Sequence, residues 1–302
     1  MPAEAADQSG SGAGPAVVLV FGLRPERLLD TEGRIDAFLE PPGQEQVGVL
    51  VEAVRSGLQA GGSVIAITPE WIGREAITRV AMVRSMLDTH RLALYETALP
   101  PLAATVLASL ASGCAPHVPS TGVLASLLPE LEAELHVFTW LASVTGLSTP
   151  APSFGQHVAS LTPGSAFGVS SWPEPAVHRL HGDGSGVPVP ELTRPSRLVI
   201  APRIERADWV LNTINPALGG LDVRRVEPTP GGPAWWGTSK LVEAVAFPLD
   251  VRALVGELVA RLDPWTCRWC RDLVARSPCP LCGHRGRPAR RRAAAPASPS
   301  GH

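Results

Sequence analysis

The sequence predicts an α/β protein, a mostly parallel sheet with flanking helices, followed by a small cysteine-bearing module near the C-terminal end. Three observations predict it. Short, continuously apolar runs of strand length alternate with longer segments of helical period over the first hundred residues. Apolar runs of strand length return after residue 195. Four of the five cysteines then stand as two Cys-x-x-Cys pairs between Cys267 and Cys282.

The elements follow in order. Residues 1–15, MPAEAADQSGSGAGP, have neither a basic n-region nor an apolar h-region and read as a disordered leader, not as a secretory signal. Val17 to Phe21, VVLVF, is apolar throughout, as a strand buried on both faces must be. Val47, Leu50, Val51, Val54 and Leu58 recur at helical spacing and stop near Gly61-Gly62. SVIAI (63–67) is a second strand. Thr68-Pro69-Glu70 is expected to cap a helix that places Ile72, Ala76, Val80, Val83 and Leu87 on one face. LALY (92–95) and PLAATVLASLAS (101–112) complete a strand–helix alternation that requires right-handed crossovers.

Residues 120–146 are expected to be purely helical, with Leu131, Leu135, Phe138, Ala142 and Thr145 in one stripe. Proline and glycine crowd the stretch from Thr149 to Pro195, which reads as a long irregular loop with room for a hairpin. RLVIAP (197–202), DVRRVE (222–227) and LVEAVAF (241–247) are strands, with a short helix near Ala207 to Ile214. Val251, Leu254, Val255, Leu258, Val259 and Leu262 form a helical stripe. The expected organisation is a leader (1–15), a βαβαβα half (16–113), a helical pair with the Pro/Gly-rich segment (114–195), a second α/β part (196–262), a cysteine module (263–284) and a disordered basic tail (285–302).

With 302 residues, 45% hydrophobic and 18% charged, the chain can bury a full core. Its longest apolar runs are far too short to cross a bilayer, so a cytoplasmic protein with no membrane partner is expected. The net charge of −2 conceals an asymmetry. Between residues 261 and 302 nine arginines stand against Asp263 and Asp272 alone, a basic tail behind an acidic body. Lysine occurs once, at Lys240.

Each Cys-x-x-Cys can form a tight knuckle, and Cys267, Cys270, Cys279 and Cys282 together make a tetrahedral S₄ set suited to Zn²⁺. With four protein thiolates the ion has no open position, so the zinc is structural. CPLCG (279–283) resembles the second knuckle of zinc-ribbon proteins, in which the glycine relieves the backbone where amides turn toward sulfur. His284 reads as an exposed neighbour and Cys114 as a buried bystander. RGRP (285–288) resembles the core of an AT-hook. That resemblance implies a minor-groove contact by Arg285 and Arg287, with Arg290, Arg291 and Arg292 adding phosphate attraction.

GGPAWWGTSK (231–240) has P-loop glycine spacing, but Thr-Ser-Lys follows where Lys-Ser/Thr is required, which excludes that motif. Trp235 and Trp236 are candidates for stacking on a ligand. His178, His181 and Asp183 lack a visible fourth ligand. Glu70, Glu96 and Glu205 follow strands, at the carboxyl ends where open α/β sheets bind ligands, and with the tryptophans they define a candidate pocket. No GxGxxG follows the first strand and no GxSxG is present. The function expected is a non-catalytic zinc-binding adaptor whose Cys₄ module and basic tail dock a protein or nucleic-acid partner. The alternative is an enzyme acting on a small molecule at the strand ends, with zinc purely structural.

Overall fold

The computed structural model describes residues 17–23, 34–38, 47–180, 186–204 and 207–286. The leader, Glu205, His181, Asp183 and the tail from Arg287 onward lie outside the described residues.

The first sheet is built from β1 (Val17–Phe21), β2 (Arg34–Phe38), β3 (Val64–Pro69) and β4 (Leu92–Thr97), in the order β2-β1-β3-β4 and parallel throughout. Every residue of β1 and β3 is buried, as their apolar runs Val17–Phe21 and Val64–Ile67 require. β2 was not expected. It is an edge strand carrying Arg34 and Asp36, which pair at 2.9 Å, and its polar residues hide it from an apolar-run search. The crossovers are α1 (Val47–Gly61) and α2 (Arg74–Met86); α3 (Pro101–Cys114) and α4 (Thr121–Ala133) follow β4. The expected cap of α2 at Thr68-Pro69-Glu70 is corrected: the strand continues through Pro69, a 3₁₀ turn spans Glu70–Ile72, and Gly73 with φ 89° starts the helix.

The expectation of helix through residue 146 is also corrected. α4 ends at Ala133 and the chain enters β5 (His136–Leu141). Val137 to Leu141 are all buried, so the strand carries no two-residue alternation and its apolar residues mimic a helical stripe. The Pro/Gly-rich segment contains α5 (Phe154–Ser160), closed by a Ser153/Gln156 capping box, and the hairpin of β6 (Phe167–Trp172) and β7 (Ala176–Arg179). Then come β8 (Ser196–Pro202), a π-helical turn at Val210–Ile214, α6 (Asn215–Ala217), β9 (Asp222–Arg225), α7 (Gly232–Trp236), β10 (Leu241–Pro248) and α8 (Val251–Ala260). The second sheet runs β7-β6-β5-β10-β8-β9 and is antiparallel except for the β8–β9 pair. The α/β class is as expected, with the parallel sheet confined to the first half.

The layers follow from burial. α1 and α2 cover one face of the first sheet with Leu50, Val54, Ala76, Val80 and Val83. All of α3 is buried, because it lies with α4 and α8 between the two sheets in one continuous core. Truncating a leucine such as Leu107 or Leu127 there to alanine should cost about 2–5 kcal/mol. The outer face of the second sheet packs Phe138, Trp140, Leu198 and Ile200 against Trp209, Val210 and Ile214.

Candidate functional site

The cysteine module begins with a two-residue ladder, β11 (Trp265–Thr266) against β12 (Leu273–Val274). Its two knuckles repeat one hydrogen-bond pattern. Arg271 N donates to Cys267 O (3.0 Å) and Cys267 N to Asp272 O (2.8 Å); Gly283 N donates to Cys279 O (2.8 Å) and Cys279 N to His284 O (3.0 Å). The residue after each knuckle is left-handed, Gly283 at φ 75° and Arg271 at φ 64°, the second at the steric cost of a side chain. All four Sγ atoms lie within 4.8 Å of one another. The cross-knuckle pairs Cys267–Cys282 and Cys270–Cys279 are 3.6 and 3.7 Å apart. A tetrahedron with bonds near 2.3 Å has edges of about 3.8 Å. The four thiols could therefore hold a metal ion, and a zinc-ribbon-like module fits the geometry. Burial pushes Cys279 up to about 11 and Cys270 higher still. At Cys267 burial acts in the same sense, but the backbone N–H groups of Cys270 and Trp269 outweigh it and bring the thiol down to about 7.

The module is fastened to the body. Ser120 Oγ caps α4 by accepting from Val123 N (3.1 Å) and donates to Leu273 O (2.7 Å). Ala275 N donates to Ser126 Oγ at 3.0 Å. Arg84 of α2 donates to Leu281 O, and Arg276 pairs with Glu130 at 2.7 Å. Trp265, Cys267, Val274, Cys279 and Leu281 belong to the core shared with α3 and α4.

At the carboxyl ends of the parallel strands the predicted residues meet different fates. Trp235 lies edge-on to Trp71 with ring centroids 6.4 Å apart, and edge-on to Trp236 at the same separation. Trp71 crowds Gly231, where a Cβ would stand 2.5 Å from its ring. Trp236 is fully buried, and its Nε1–H donates to Glu243. Glu70, in the turn after β3, and Glu96, on β4 opposite Thr68, are both exposed. Glu243 was missed, although it is the single charge in LVEAVAF. It is wholly buried and accepts from Thr229 Oγ1 (2.6 Å), Trp236 Nε1 (3.1 Å) and Leu102 N (3.2 Å) in the first turn of α3. Burial raises its carboxyl, against the pull of those donors. Glu132 is raised by burial as well, while Tyr95 and Thr97 donate to it at 2.7 and 3.0 Å.

A cavity of about 280 Å³ lies over β5, β6 and β7. Phe138, Trp172, Ala176 and three prolines (Pro173, Pro188 and Pro190) make it apolar. His136, Trp172 and His178 also line it, and His136 Nδ1, Trp172 Nε1 and His178 Nε2 are buried nitrogens without a hydrogen-bond partner among the described residues. Burial holds both imidazoles below their ordinary value, so they are neutral at pH 7. A second cavity of about 480 Å³, lined by Trp140, Ala142, Lys240 and the Ser160–Ser165 turn, adjoins the other end of β5. The composition offers no signal for either cavity; they arise from strands distant in sequence.

Two α/β lobes sharing a central helical layer define the class of protein to which the fold belongs. Solved structures share that fold. A DegV family protein from Corynebacterium glutamicum superposes with a TM-score of 0.54 at 13% identity, over 80% of this chain and 99% of the other. A DegV family protein from Eubacterium eligens, loaded with heptadecanoic acid, gives 0.52 at 11% identity over 77% and 100%. A fatty-acid-binding DegV family protein from Thermus thermophilus gives 0.52 at 12% over 78% and 100%. No protein-family profile matches the chain, and no curated protein matches it in sequence.

These findings correct the adaptor reading and, with it, the protein or nucleic-acid partner. The body shares its fold with proteins two of which are described with a fatty acid, so the small-molecule alternative fits better than the adaptor. The cysteine module is part of the core and not a free docking arm. Of the arginines assigned to nucleic acid, Arg285 is exposed and Arg287, Arg290, Arg291 and Arg292 lie outside the described residues. No helix among the described residues is long and apolar enough to cross a membrane.

Proposed function

We propose that this protein binds a small amphipathic acid of the fatty-acid class, and that a zinc ion held by Cys267, Cys270, Cys279 and Cys282 is a structural clamp. The observation that carries the ligand reading is the apolar cavity over β5–β7 with its three partnerless nitrogens. Buried polar groups are almost always paired, and a pocket that is mostly apolar with a few converging polar groups is the usual form of a small-molecule site. The names of the fold's neighbours, one loaded with heptadecanoic acid and another described as binding fatty acid, point the same way. The sulfur spacing supports zinc, and the packing of the knuckles against α4 supports a structural role. In this reading Trp235 and Trp236 hold the two lobes together, and Glu70 and Glu96, at strand ends of the first sheet, take no part in the ligand site.

The test is direct. Lipid extracted from purified protein, analysed by mass spectrometry, should contain a stoichiometric fatty acid. A fluorescent fatty acid should bind and be displaced by palmitate. Ala176→Trp, which fills the cavity, should abolish that binding while the protein stays folded. An unaltered protein that binds no fatty acid in either assay overturns the reading.

A further inference from the structure

The apolar cavity suits the chain of an acid but, among the described residues, has no cation to hold its charge. Among the described residues no lysine or arginine lines it, its two histidines are neutral, and Glu174 on its wall repels an anion. At about 280 Å³ it also falls just under the range of roughly 300–1,000 Å³ usual for ligand sites. A head group therefore has to sit elsewhere.

The neighbouring cavity supplies the missing charge. The chain's single lysine, Lys240, lines it together with the hydroxyl-bearing Ser160–Ser165 turn. Both cavities open on the same face of the second sheet. Phe138 lines the first, and Trp140, two residues along β5, and Ala142, just past its end, line the second. Successive residues on one face are about 6.6 Å apart. Trp140 lines the second cavity and belongs with Phe138 of the first, and with Trp209, to one apolar cluster on that face. The backbone of Lys240 is fixed: its carbonyl accepts from Ala142 N (3.1 Å) and its N–H donates to Thr238 Oγ1 (3.2 Å). The preceding turn is pinned by Gly237, left-handed at φ 66° and packed on the backbone of Gly146. The side chain is exposed and forms no ion pair among the described residues.

We infer that Lys240 is the anchor for the ligand's carboxylate, at one end of a groove that passes Trp140 into the apolar cavity. The inference rests on the fatty-acid reading and specifies its head-group site. The full-length protein is titrated calorimetrically at neutral pH with palmitate and with hexadecanol, which has the chain but no charge. Lys240→Gln is expected to weaken palmitate about fivefold, the scale of one partly exposed ion pair, and to leave hexadecanol unchanged. Lys240→Arg is expected to restore palmitate binding. Trp140→Ala, which widens the groove beside Phe138, is expected to tighten binding of the longer acids relative to the shorter ones. Equal palmitate affinity in Lys240→Gln and unaltered protein overturns the anchor, as does an equal loss for palmitate and hexadecanol. If the unaltered protein binds neither lipid, the fatty-acid reading itself falls, and the anchor with it.

Discussion

The indole Nε1–H of Trp236 donates to Glu243 Oε1 at 3.1 Å, joining the short helix before β10 to a wholly buried carboxyl in the middle of that strand. The same oxygen accepts from Leu102 N, so one side chain of the second sheet caps the central helix and fastens the tryptophan loop. Glu243→Leu leaves the Trp236 and Leu102 donors unpaired and is expected to destabilise by about 2–5 kcal/mol. Glu243→Gln is expected to stay within about 1 kcal/mol, because the Thr229 hydroxyl can turn to accept the amide N–H₂. Urea unfolding of both variants checks the pair. A Leu variant as stable as Gln would show that the donors find other partners.

Glu243 also makes stability depend on pH. Its raised carboxyl holds a proton in the folded state that the unfolded chain releases near the ordinary glutamate value of about 4.3. Its contribution therefore declines as pH rises from that value toward the folded one. His136 and His178 act in the opposite sense. Burial lowers both, so their contribution is present above about 6.5 and is lost as pH falls through the folded values. Relative to unaltered protein, Glu243→Gln should flatten the first slope and a His136→Gln/His178→Gln pair the second, measured as unfolding free energy from pH 4 to pH 8.

Metal analysis of freshly purified, reduced protein is expected to give one zinc per chain, lost on Cys267→Ser or Cys282→Ser. Because Cys267, Cys279 and Leu281 are buried with α4, removal of the metal by a chelator should lower the melting temperature of the whole protein and not merely release its end. Zinc near zero in the unaltered protein, or an unchanged melting temperature on chelation, counts against the clamp.

Gly122 sits in the first turn of α4, where alanine ordinarily favours a helix by about 1 kcal/mol. A Cβ there would stand 2.5 Å from Leu273 O and 2.7 Å from Val274, both in the cysteine module. Gly122→Ala is therefore expected to destabilise by about 1–3 kcal/mol and to weaken zinc retention. Thermal unfolding and a competitive zinc-chelation assay measure the two effects.

The cysteine knuckles and the strands β1, β3 and β4 were legible in the sequence because each rests on local information. Two ligands three residues apart define a knuckle wherever they occur, and a run such as VVLVF has only one way to hide its apolar surface. Glu243 left a trace, a lone acid in an apolar strand, but its purpose depends on Leu102, which is 141 positions away. β5 left no trace: a strand buried on both faces loses its two-residue period, and Phe138 and Leu135 then pass for a helical stripe. The tertiary structure alone decided that β5 lies between β6 and β10, that His136 and His178 share a cavity, and that Lys240 stands at the far end of the same sheet face. Those relationships are set by antiparallel pairing between distant segments, and pairing is a property of the assembled sheet that no single stretch of the chain contains.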